Sequence, residues 1–265
     1  MSPPGADHQD PGVASSVRWL HYALPVALGG SIPAVVHRVT GQALFLPGLA
    51  FLLLGIAAAY ALDRLLDGPE GGEGARFRPL LAACFRLSAI LGVGLIPWLP
   101  AQSLALVLLL GASALGYRRW KRLPFAKALG VPLAWTWAGM TLPFAPHSWF
   151  GWRTLLDPVA LTLFLLLAAG CLLCDLKDEE ADGRAGIRSF PVMFGARWTA
   201  VLAMILAAGA VLRAGAAHRP GLAASGTALI LLGCFPRWTA RGVRGALVVD
   251  AALILPGVLT LTHLV

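Results

Sequence analysis

Long apolar runs separated by short polar or charged punctuation organise this chain. Reading each run as a membrane-spanning helix gives nine predicted spans, at about 19–36, 43–62, 80–98, 102–117, 128–145, 156–174, 198–214, 221–236 and 246–264. The runs approach the roughly 20 residues a helix needs to cross the hydrocarbon core and lack the ten-residue alternation of an outer-membrane barrel. The pattern predicts an all-α integral membrane protein, nine transmembrane helices forming one polytopic domain over 16–265. A disordered cytosolic tail over 1–15 is expected before it, since MSPPGADHQDPGVAS is polar and proline-rich and carries acids where a secretory signal carries positive charge.

Composition agrees with lipid as the solvent. Of 265 residues 58% are hydrophobic and 13% charged, with a mean hydropathy of +0.75, whereas a water-facing globular chain carries about 25% charge. The net charge of +8 is read through the topology. On nine spans, sixteen of the 21 lysines and arginines fall on the N-terminal side, and only Arg38, Arg153, Arg213 and Arg219 fall opposite. The positive-inside rule then places the N-terminus and both long charged loops in the cytosol, of a bacterial-type plasma membrane, and the C-terminus across it. The basic pI follows from that placement, so no nucleic-acid partner is expected. Cys84, Cys171, Cys174 and Cys234 lie in or beside apolar runs and read as soft packing residues.

Candidate chemistry sits where two spans meet the charged loops. Asp175, Asp178 and Asp182 follow the sixth run at offsets of three, four and seven, which on a continuous helix places them on one face. Like charges on one face repel, and carboxylates oppose the macrodipole at a helix C-terminus, so the stripe needs a reason beyond solubility. Hard divalent cations supply one, because Mg²⁺ is held by one or two carboxylates together with substrate phosphates. The loop after the second run offers Asp63 and Asp67 at i, i+4, with Tyr60 one turn earlier. His21 and Asp250 are lone polar residues in apolar runs. Trp120, Trp135, Trp137, Trp149 and Trp152 are read mainly as an interfacial belt, with Trp135 and Trp137 as alternative cavity-lining residues.

The segment DLKDEEADGRAGIRSFPVMFG resembles the second acidic motif of the UbiA superfamily of intramembrane prenyltransferases, through Asp175, Asp178, Asp182, Gly186, Ser189 and Pro191. Asp63, Asp67, Arg76, Arg78 and Pro79 are similar to its first motif, although Ala59 and Tyr60 stand where the family usually has Asn and Asp. Tyr117, Lys121 and Arg122 match its basic loop. The resemblance implies a Mg²⁺-dependent transfer of an isoprenyl chain from an allylic prenyl diphosphate to a small, lipid-soluble acceptor, of aromatic or quinone type. It implies metal ligation and catalysis by Asp63, Asp67, Asp175, Asp178 and Asp182, with the diphosphate held by Tyr60, Arg78, Lys121, Arg122, Lys177 and Arg188. Two other outcomes share the scaffold: a membrane terpene cyclase, and a non-catalytic prenyl-lipid binder.

Overall fold

The computed structural model describes residues 13–66, 78–144 and 157–261. It is all helical among them: α1 (Val13–Thr40), α2 (Leu46–Leu66), α3 (Arg78–Leu95), α4 (Ala101–Trp120), α5 (Val131–Thr141), α6 (Pro158–Asp175), α7 (Glu179–Arg184), α8 (Phe190–Ala216), α9 (Pro220–Gly233), α10 (Pro236–Thr239) and α11 (Gly242–Leu261). Most of the expected tail, and Asp67, Arg76, Trp149 and Trp152, lie outside the described residues.

The expectation of nine membrane-spanning helices is corrected. Among the described residues four helices are long and apolar enough to cross: Leu46–Leu66, Arg78–Trp98, Pro158–Arg184 and Phe190–Ala216. Ala101–Tyr117 and Pro220–Gly233 are apolar but shorter. At about 1.5 Å per residue such helices fall short of the roughly 30 Å core. The predicted fifth span breaks into a π-helical turn (Ala126–Gly130), the 11-residue α5 and a 3₁₀ turn (Leu142–Phe144). Apolar run length alone does not reveal such breaks. The protein is a multi-pass membrane protein, and the sidedness argued from nine spans loses that support.

α6 is the centre of the bundle, apolar on all sides and the most buried of the four spans. Asp157 starts it, its carboxylate accepting the Val159 N–H at 2.7 Å with Pro158 in the first turn. Leu163, Leu166, Leu167, Leu172 and Leu173 then fill the core between α1, α8, α9 and α11. Gly170 lets Leu253 of α11 approach closely: a Cβ there would meet Leu253 Cδ1 at 2.6 Å. Outward faces stay apolar, with Leu87, Ile90 and Val93 on α3, Leu108 and Leu115 on α4, and Ile205 and Leu212 on α8 exposed. A surface of this kind suits lipid and would be a liability in water.

A proline inside α11 frees backbone groups for interhelical bonding. Pro256 has no N–H, so the Ala252 carbonyl loses its helical partner. Ser225 Oγ on α9 donates to that carbonyl at 2.7 Å. Ser31 Oγ on α1 donates to the Ile254 carbonyl at 3.2 Å and accepts the Gly257 N–H at 3.1 Å. With both serines buried, these bonds join α1, α9 and α11 around α6.

Candidate functional site

The cytosol-predicted end of α6 carries the second acidic segment. A 3₁₀ turn (Leu176–Asp178) links α6 to α7. Gly186, two residues past the end of α7, is at φ +67°, a conformation in which glycine avoids the Cβ penalty. The Ile187 N–H then closes back on the Asp182 carbonyl at 2.9 Å, which fixes the backbone that carries the Asp182 side chain.

Asp175 and Asp182 converge on one cation, and that cation is Lys127. Its ammonium lies 2.9 Å from Asp175 Oδ1 and 2.8 Å from Asp182 Oδ2. Both carboxylates are buried, the lysine nearly so, and the second oxygen of Asp175 is buried with no hydrogen-bond partner. Burial works against the Lys127 charge, but the two carboxylates and their hydrogen bonds outweigh it and hold its pKa above the ordinary lysine value. Asp178 is the most exposed of the three acids, and Lys177 Nζ reaches its two oxygens at 3.1 and 3.3 Å. The structure thus brings two acids together on one cation and gives the third to its chain neighbour.

Local backbone geometry delivers Lys127 to this position. Phe125 is left-handed, φ 62°, an uncommon conformation for a residue with a Cβ. It leads into the π-helical turn Ala126–Gly130 that carries Lys127. The Phe125 ring rests against Phe190 and Phe194 at the start of α8, with centroids 5.9 and 6.1 Å away. At the other end, Gly130 admits the Trp120 ring, which a Cβ would meet at 3.0 Å. Trp120 is itself held by its indole N–H to the Ser113 carbonyl at 2.8 Å and by an edge contact with Tyr117.

The remaining candidates surround this centre unevenly. Tyr117 interacts electrostatically with Asp63 of α2 and with Lys127 and Asp175, so the first acidic segment shares a neighbour with the second. Tyr60, half-buried, interacts with Asp250 of α11 and with Cys171 and Cys174 of α6, and Asp250 interacts with Lys177. Lys121 lies over the Tyr117 ring, 5.4 Å from its centroid. Arg122 and Arg188 are exposed, and Arg78, also exposed, donates to the Leu65 carbonyl at the end of α2 at 3.4 Å. Trp135 and Trp137 pack against the hydrophobic core.

For Mg²⁺ the donor set fits. No group of three or more His, Cys, Asp or Glu gathers among the described residues. Two buried carboxylates nonetheless point at one cation position, and an unpartnered Asp175 oxygen is beside it. Mg²⁺ is commonly bound by one or two carboxylates, with substrate phosphates completing its shell. Lys127 is the site residue that sequence reasoning missed; it counted only as one charge in a basic loop.

A multi-pass helical membrane protein with a buried acid–lysine–acid clamp at one end of its central helix is the class these features define. The family follows from the sequence: residues 22–247 match the UbiA prenyltransferase family, and the chain belongs to it. Among solved structures, the fold is similar to the apo structure of a UbiA homolog from Aeropyrum pernix K1, with a TM-score of 0.65, 18% identity and coverage of 94% of this chain and 99% of that one. It is also similar to a digeranylgeranylglyceryl phosphate synthase, with a TM-score of 0.54, 14% identity and coverage of 91% and 96%. No curated protein matches by sequence.

Proposed function

We propose that the protein transfers an isoprenyl chain from an allylic prenyl diphosphate to a small, lipid-soluble acceptor of aromatic or quinone type, in a Mg²⁺-dependent reaction. Family membership supplies the reaction class. The observation that carries the reading is the convergence of buried Asp175 and Asp182 on one cation position at the end of α6. Asp175 and Asp182 would hold Mg²⁺ with Asp178, and Asp63 and Asp67 would contribute from the first segment. When bound, the metal neutralises charge on the departing diphosphate.

The chain's own groups do the rest. Lys177, Arg188, Lys121, Arg122 and Arg78 supply charge-assisted hydrogen bonds to the diphosphate oxygens, and the Tyr60 hydroxyl donates one more in place of a carboxylate. Fixed cations aimed at the leaving group stabilise the charge that develops as the carbon–oxygen bond breaks. An apolar surrounding excludes water from the resulting allylic cation until the electron-rich acceptor attacks it. Lysines and arginines gathered at this end support a cytosolic orientation.

The test is incubation of membranes containing the protein with labelled prenyl diphosphates of several lengths, with and without Mg²⁺. The expected result is a Mg²⁺-dependent lipid whose mass equals acceptor plus prenyl chain, and its loss in Asp178→Ala that remains inserted. A released hydrocarbon without acceptor atoms, or diphosphate binding without turnover, would contradict it.

A further inference from the structure

We propose that Lys127 is a displaceable internal counter-cation: it closes the Asp175–Asp182 seat to a free divalent ion and yields it to a divalent ion that arrives with a diphosphate, whose oxygens then receive the ammonium. The choice of a diphosphate as the trigger rests on the function proposed above.

Occupancy is the first argument. The lysine nitrogen lies within 2.9 Å of one oxygen from each carboxylate. A Mg²⁺ ion bound to those two oxygens sits about 2.0–2.1 Å from them, in the space the ammonium fills. The two cations exclude each other. The unpartnered Asp175 oxygen is the second argument, since the lysine clamp leaves a buried acceptor that it does not use. A six-coordinate ion, with its larger demand for oxygen donors, would use it.

Charge sets the condition for exchange. Asp178 is already paired with Lys177, and Lys127 cancels one of the two charges on Asp175 and Asp182. A free divalent ion therefore meets a seat that is largely neutralised. Taking it would also leave an ammonium without its acids in a buried setting, which is costly. A diphosphate removes that cost by offering new anionic acceptors. Lysine suits the exchange, because its flexible four-carbon stem swings a compact charge. Its anchorage suits it too: left-handed Phe125 and a π-helical turn are both features that concentrate at functional sites.

The experiment measures Mn²⁺ bound to the purified full chain by equilibrium dialysis, with and without inorganic pyrophosphate and with no prenyl substrate. Wild type is expected to bind Mn²⁺ at least about tenfold more tightly when pyrophosphate is present. Lys127→Gln is expected to bind Mn²⁺ alone at least about tenfold more tightly than wild type does. Equal Mn²⁺ affinity of wild type with and without pyrophosphate overturns the proposal, whether or not Lys127→Gln folds. Equal affinity of folded Lys127→Gln and wild type for Mn²⁺ alone also overturns it. Prenyl transfer is assayed separately on the same preparations. Its absence with the Mn²⁺ pattern intact removes the enzyme reading alone, and its presence without that pattern removes the counter-cation alone.

Discussion

Replacing Lys127 by Met tests the clamp as a structural element. The side chain keeps its length and loses its charge, leaving Asp175 and Asp182 facing each other with side chains only 8% and 9% exposed. Removing one partner of a buried ion pair costs about 3–5 kcal/mol, because a buried charge is left uncompensated. For a domain of this size each kcal/mol shifts Tm by about 2–4 °C, so Lys127→Met in metal-free detergent should melt about 6–20 °C below wild type. Adding Asp175→Asn and Asp182→Asn to the same chain should recover most of that loss, since no unpaired charge remains. The pH dependence follows from the direction of the lysine shift. Its folded pKa is raised, so its contribution is complete below the unfolded value of about 10.4 and fades only as pH climbs through the folded value. The lysine's own part of the deficit should therefore stay constant from about pH 7 to 9. Thermal melts followed by tryptophan fluorescence across that range measure it. A variant that melts within about 2 °C of wild type would refute the reasoning.

Two further substitutions separate the scaffold from the site. Ser225→Ala leaves the Ala252 carbonyl, one turn before Pro256, unpaired and should cost about 1–3 kcal/mol in unfolding assays, with Mn²⁺ binding unchanged. An unaltered midpoint would show that this bond does not stabilise the bundle. Gly186→Ala forces a Cβ into the left-handed region after α7, and about 1–2 kcal/mol of stability should be lost, together with weakened divalent binding through Asp182. Unchanged Mn²⁺ affinity in that variant would detach the turn from the site.

The sequence made some of this legible and hid the rest for physical reasons. Helical class, membrane residence and the acidic segment after α6 follow from apolar runs and from carboxylates placed against the macrodipole, both local signals. The span count did not, because run length cannot register the π-helical turn at Ala126–Gly130 or the shortness of α9. The spacing that put Asp175, Asp178 and Asp182 on one helical face does not register the 3₁₀ turn between them, after which Asp175 and Asp182 meet on Lys127 and Asp178 pairs with Lys177. Lys127 was invisible because its importance is tertiary: 55 residues of chain separate it from Asp182, and its approach depends on left-handed Phe125 seated on α8. Ser31 and Ser225 were likewise unremarkable until Pro256 freed backbone groups for them.

The account stands most directly on the two buried carboxylates that share one cation position. The decisive measurement compares wild type with Asp175→Asn in the prenyl-transfer assay, each with and without Mg²⁺, on protein shown to be inserted and folded. Wild type is expected to give Mg²⁺-dependent product, and Asp175→Asn at least about a hundredfold less, on the order of the loss of a principal electrostatic group. Equal product from both proteins, or product from wild type that is indifferent to Mg²⁺, would contradict it.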